Sequence, residues 1–246
     1  MEYQILWFIL WGILWAVYFM SDGFDLGVGM LHHYLAENDD EKRIIINAIG
    51  PVWDGNEVWL VTAGGATFAA FPTTYALMFS YLYTPLLIIL FALIFRGVAF
   101  EFRGKEEGQS WKKGWDAAIF FGSFIPALLF GVAFGNIFRG LPMDGAGYHG
   151  SLFALLNMYA LLTGILFVLL FLLHGSLWLA FKTEGGVAGR AVRFASKSWS
   201  AMLLVLVLFL VYTAFATRLY DNFIRSPFWM IRSEERRVGK ECRSRW

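Results

Sequence analysis

Long apolar runs separated by short polar clusters mark the chain throughout. By length and apolarity they predict six membrane-spanning helices, at about Ile5–Met30, Ile44–Phe71, Tyr75–Phe95, Trp115–Phe138, Ser151–Phe181 and Trp199–Thr217. About 20 apolar residues in a helix cover the hydrocarbon core of a bilayer. The breaks are the polar stretch HHYLAENDDEKR, the uncharged turn at Pro72, Thr73 and Thr74, a charged loop ending at Lys113, the loop RGLPMDGAGYHG, and a Gly-rich basic linker. Pro51 lies near the start of the second run, and Pro126 is expected to interrupt the fourth. GVAF occurs twice, at Gly97 and Gly131, but the flanks differ, so no internal repeat is read. The pattern predicts an all-α polytopic transmembrane bundle, one domain over residues 1–231.

Composition agrees: 58% of residues are hydrophobic and only 16% charged, values that fit a polytopic helical membrane protein far better than a soluble domain. The first run is too long for a signal peptide and has no basic leader, so it is read as a retained helix. A net charge near zero gives no reason to expect nucleic acid. Arg232–Trp246 (RSEERRVGKECRSRW) breaks abruptly from the preceding WMI, and is identified as the translation of a sequencing adapter rather than native protein. The alternative is a natural basic tail. Without it, 14 Lys+Arg stand against 16 Asp+Glu, a net charge of −2. The single cysteine, Cys242, lies in this tail, so the remainder predicts no disulfide and no thiolate ligand.

Basic residues set the expected orientation. The loops after the first, third and fifth helices carry Lys42 and Arg43; Arg96, Arg103, Lys105, Lys112 and Lys113; and Lys182, Arg190, Arg193 and Lys197. The other side carries only Arg139, Arg218 and Arg225. This places the N-terminus outside and the three basic loops in the cytoplasm.

Acids inside these runs are the candidate chemistry. Asp22 and Asp25 lie in SDGFDLGVG, spaced i, i+3 on one helix face; Asp54 and Glu57 repeat the spacing in WDGNEVW. With the first helix ending at Met30, Asp25 is expected about 8 Å and Asp22 about 12 Å from its inner end. Arg96, Glu101 and Asp116 share that side. Two readings stand: a polar cluster admitting protons from the cytoplasm, or a structural network in which Asn56 and Arg96 hold the acids and join the bundle.

The glycines of SDGFDLGVG follow no strand, so the dinucleotide-loop context is missing. Gly23 and Gly27, Gly64 and Gly65, and Gly131 and Gly135 are read as small faces for close helix approach. Of the histidines, His174 is placed near the inner end of the fifth helix and His32 and His33 at that of the first. A haem-bearing pairing among them is geometrically open, but interfacial positions near headgroups are the plainer reading, with His149 in an outer loop. No metal site is expected. Trp and Phe abundance reads as lipid-facing and interfacial surface, with a dry route for an apolar gas as the functional alternative.

The blocks SDGFDLGVGML, GPVWDGNEVWLVTAGGATFAAFP, IFRGVAFEFR and WDAAIFFGSFIPALLFGVAFGN, in this order and spacing, resemble subunit II of the cytochrome bd-type quinol oxidases. The resemblance is specific from Met1 to about Gly140 and weaker beyond. It implies a prokaryotic inner-membrane complex that oxidises quinol and reduces dioxygen to water. Subunit I, the implied partner, holds haems b and d and the quinol-oxidising loop. Small accessory membrane subunits also fit the family. Subunit II is implied to be a non-catalytic, haem-free subunit needed for assembly, contributing proton and O2 routes or a structural quinone in some members. By motif, Asp54 matches the acid implicated in proton delivery at the subunit interface, and Asp25 an acid also considered important. The Glu57 position holds Gln in some relatives. Family members continue beyond Ile231, so the chain is expected to be truncated there. The rival class is a stand-alone transporter or proton channel using Asp22, Asp25, Asp54 and Glu57. A transporter more often shows paired repeats and broken helices at the midplane.

Overall fold

A computed structural model describes residues 2–141, 143–144, 147–148 and 150–221. The adapter-like run 232–246, with Cys242, lies outside these residues, as do His149 and Arg225. Among the described residues eight α-helices follow in order: α1 (Glu2–Leu35), α2 (Asp39–Asn47), α3 (Trp53–Ala70), α4 (Pro72–Tyr81), α5 (Tyr83–Phe102), α6 (Gln109–Arg139), α7 (Met158–Lys182) and α8 (Gly185–Ala216). Between α6 and α7 lie a two-residue antiparallel pairing of Met143–Asp144 with Gly147–Tyr148 and a short 3-10 turn, Leu152–Leu155. The all-α polytopic bundle is as expected.

Five described helices, α1, α5, α6, α7 and α8, are long and apolar enough to cross a membrane. The expected second span is divided. Asn38 caps α2 by accepting from the Glu41 amide at 2.9 Å, and the chain turns through residues 48–52 before α3. Pro51 favours that turn by supplying no backbone donor. Trp178 Nε1 closes it by donating to the Ala48 carbonyl at 3.0 Å. α3 itself carries Asp54, Asn56 and Glu57 in two turns, which lowers its apolarity below that of a lipid-facing span.

Other boundaries also differ from the sequence reading. The third run breaks at Leu82 into α4 and α5. Pro126 does not interrupt α6, which continues through it with the proline buried against its neighbours. Neighbouring helices make such a proline tolerable in a membrane bundle. α7 starts later than expected, at Met158, capped by Asn157 accepting from Ala160 N. α8 starts earlier, at Gly185, so the basic linker is its first turns.

α5 to α8 pack in sequence as an up-and-down series, and α1 lies against α3, α6 and α7. Close approach is set by small residues. A Cβ on Gly27 would collide with the Phe171 carbonyl, and one on Gly175 would lie 2.5 Å from the backbone of Gly27 and Val28. α6 meets α7 where Gly131 faces Gly164 and Gly135 faces Ala160 and Thr163. Gly23 faces the Phe171 ring. A Cβ on Gly64 or Gly65 would meet nothing within 4 Å among the described residues, whereas Gly122, which the sequence did not single out, faces Ala92 and Arg96 of α5.

Candidate functional site

α1 runs five residues past Met30, to Leu35. Asp25 is therefore about 15 Å and Asp22 about 20 Å from its C-terminal end. That is farther from the helix end than the sequence suggested, with Asp22 about 5 Å from the middle of α1 and Asp25 about 10 Å from it. Both are fully buried.

Antiparallel α3 brings the second pair of acids alongside. Trp11 Nε1 donates to Thr67 Oγ1 at 2.7 Å at one level of the contact. Asn56 Nδ2 donates to the Ser21 carbonyl at 3.2 Å and to Asp25 Oδ2 at 2.8 Å at the other. From α5, Arg96 Nη2 donates to Asp22 Oδ1 at 2.7 Å and Glu57 Oε1 at 2.5 Å. Arg96 is fully buried, whereas the Glu57 side chain keeps 24% of its surface. Gly122 leaves α6 room to pass the Arg96 backbone and Cβ.

Asp54 is not in this chamber. Three helical residues rotate about 300°, so Asp54 sits about 60° around α3 from Glu57. It is exposed and has no hydrogen bond or ion pair among the described residues. The acids thus form a gradient: Asp54 at the surface, Glu57 half-buried, Asp22 and Asp25 enclosed.

The single inner network expected from sequence is two networks. Asp116 does not reach Asn56 or Arg96. It accepts from Arg103 Nε at 2.5 Å and Lys42 Nζ at 2.7 Å, and it faces His32 Nε2 at 3.3 Å. Arg103 Nη2 and Lys112 Nζ also bind Asp39, at 2.6 and 2.8 Å. Those bonds, from Lys112 first and then Arg103, hold the Asp39 carboxyl below its usual range. Arg190 of α8 binds Glu41 at 2.5 Å, Glu37 at 3.0 Å and the Leu35 carbonyl at 2.6 Å. The three basic loops therefore share one face of the bundle. Glu101 is exposed and belongs to neither network.

Among the described residues, His174 packs on Phe24 and His32 bonds Gly29 and Asp116, so the two are not paired. His32, read from sequence as interfacial, is fully buried, with Nδ1 at 2.8 Å from the Gly29 carbonyl. His33 is exposed. His174 stands edge-on to Phe24, ring centroids 5.5 Å apart, and beside Gly23. This arrangement does not fit a haem held between α1 and α7. Among the described residues no group of three or more His, Cys, Asp or Glu is placed to hold a metal ion. Beyond Tyr18 the rings of Trp15, Phe19, Phe130, Phe134 and Phe167 interlock, mostly edge-to-face, as a packed aromatic cluster.

Fold and chamber together define a multi-pass membrane protein with a buried, acid-rich polar centre. The chain belongs to the cytochrome bd terminal oxidase subunit II family, whose model matches residues 3–233. It is 44% identical over 218 residues to cytochrome bd ubiquinol oxidase subunit 2 of Bacillus subtilis, covering 88% of this chain and 64% of that protein. It is 42% identical over 217 residues to cytochrome bd-I ubiquinol oxidase subunit 2 of Escherichia coli K12, covering 85% of this chain and 56% of that one. The chain thus spans less than two thirds of these relatives. The fold resembles a chain in the structure of bd oxidase from Geobacillus thermodenitrificans, with a TM-score of 0.75 at 18% identity, covering 94% of this chain and 72% of the other.

Proposed function

We propose that the chain serves as a haem-free membrane subunit of a bd-type terminal oxidase, which oxidises quinol and reduces O2 to water. In this reading it supports assembly of a haem-bearing subunit I and supplies a proton route through its acids. The supporting observation is the burial gradient from Asp54 through Glu57 to Asp22 and Asp25, in which three buried or half-buried carboxyl groups face one cation, Arg96. A network built only for stability would match charges more closely, because unpaired ions inside a membrane are costly. Asp54, exposed beside Val58, Trp59 and Val61, then lies on the face that the partner covers and through which protons arrive.

Co-expression with a bd-type haem subunit tests this. The expected result is haem absorbance in material purified through a tag on this chain, and turnover-linked proton uptake slowed in Asp54→Asn. Absence of a haem-bearing partner, or uptake indifferent to the substitution, contradicts it. A free-standing proton transporter is the second reading, favoured by the burial of Asp22 near the middle of α1. Proton flux through vesicles containing this chain alone would decide for it.

A further inference from the structure

The bonds in the buried chamber are unevenly shared. One guanidinium nitrogen, Arg96 Nη2, binds both Asp22 and Glu57. Asp25 has no cation; its one bond comes from the neutral Asn56 amide. Asp25 is also fully buried, whereas Glu57 keeps part of its surface. A carboxylate enclosed without a cation is relieved by taking up a proton.

We infer that Asp25 carries the exchangeable proton of this cluster, with Asp22 and Glu57 held as the anions of Arg96. The inference rests on the proton-route reading above and deepens it by assigning the proton to one carboxyl. Asn56 occupies Asp25 Oδ2, which leaves Oδ1 to bear the hydrogen, and Oδ1 is buried without a partner. A protonated carboxyl supplies one O–H donor. Asp22 Oδ2, one turn away on the same face, is a buried acceptor with the Tyr18 hydroxyl near it and no bond within 3.5 Å. The Tyr18 hydroxyl, a turn further on, and Arg96 Nε and Nη1 are orphaned in the same place. Polar atoms so enclosed are satisfied by one another or by buried water. A proton leaving Asp25 Oδ1 passes to Asp22 or to water, and one arriving past Glu57 replaces it.

The other ionisable groups near Asp25 are few. On α3 they are Glu57 and the exposed Asp54, on α5 Arg96, and on α7 His174 beside Gly23. α6 has none between Asp116 and Arg139.

Infrared difference spectra in H2O and D2O test the assignment on protein purified with its haem subunit. The expected result at neutral pH is a buried protonated-carboxyl C=O band that shifts in D2O, vanishes in Asp25→Asn and persists in Asp22→Asn and Glu57→Gln. Should Asp25→Asn fail to assemble, Asp25→Glu must displace the band in frequency. A band unchanged in either Asp25 variant, or lost in Glu57→Gln instead, overturns the inference. The two readings fail separately. An Asp25 band with proton uptake indifferent to Asp25→Asn keeps the assignment and defeats the route; no Asp25 band with Asp54-dependent uptake does the reverse.

Discussion

The same kinds of side chain are used in opposite proportion at two levels of α1. At the C-terminal end, Asp39 and Asp116 are surrounded by Lys42, Arg103 and Lys112, and the oxygens of both carboxylates are engaged. Further along α1, one guanidinium serves Asp22 and Glu57, Asp25 has only the Asn56 amide, and several polar atoms have no partner. The first arrangement fastens α1, α2, α5 and α6 together where water is near. The second keeps unneutralised acid deep in the bundle, where it is stable only with protons or water to offset it. Cation excess therefore marks a structural tie, and acid excess marks the cluster on which the proposed proton route rests.

The largest effect that sharpens this contrast comes from Arg96→Leu. It leaves Asp22 and Glu57 buried without their shared cation and is expected to cost about 3–5 kcal/mol of stability. A steep fall in the thermal unfolding midpoint, or in the yield of folded protein, checks it. Next is Asp116→Asn, which releases Arg103, Lys42 and His32 together. A loss of about 2–3 kcal/mol is expected, tempered by the partial exposure of Lys42. An unfolding midpoint equal to wild type would show that the inner network ties nothing. The smallest effect is pH-dependent. The carboxyl of Asp39 is held below its usual range, so its contribution is present above that range and is lost as pH falls through the lowered value. Because Asp39 is substantially exposed, the change is about a few tenths of a kcal/mol. An unfolding midpoint compared between wild type and Asp39→Asn should differ at neutral pH and converge in strong acid.

The acids were legible in the sequence because charge inside an apolar run has so few explanations. Their partners were only half legible. Arg96 and Asn56 sit inside the helical pattern and were found, whereas His32 and Arg103 sit at helix ends, where polar residues usually meet headgroups. The distance of Asp22 and Asp25 from the end of α1 is underestimated from the sequence, because LHHYL reads as a loop start. His32 keeps α1 helical there by bonding Gly29 and Asp116, a contact that depends on a residue 84 positions away. Gly64, Gly65 and Gly122 show the same limit. Each is a small residue in an apolar helix, and only the neighbouring helix decides which one is a contact. Asp54 and Glu57 share a spacing that suggests one face, yet the 60° between them separates surface from interior.

Proton uptake by vesicles reconstituted with this chain and a bd-type haem subunit, compared between Asp25→Asn and Asp116→Asn below the unfolding temperature of both, tests the central claim most directly. The account predicts uptake slowed by about tenfold or more in Asp25→Asn and near wild type in Asp116→Asn. Uptake preserved in Asp25→Asn and lost in Asp116→Asn would contradict it, and would move the proton route to the ion network at the end of the bundle.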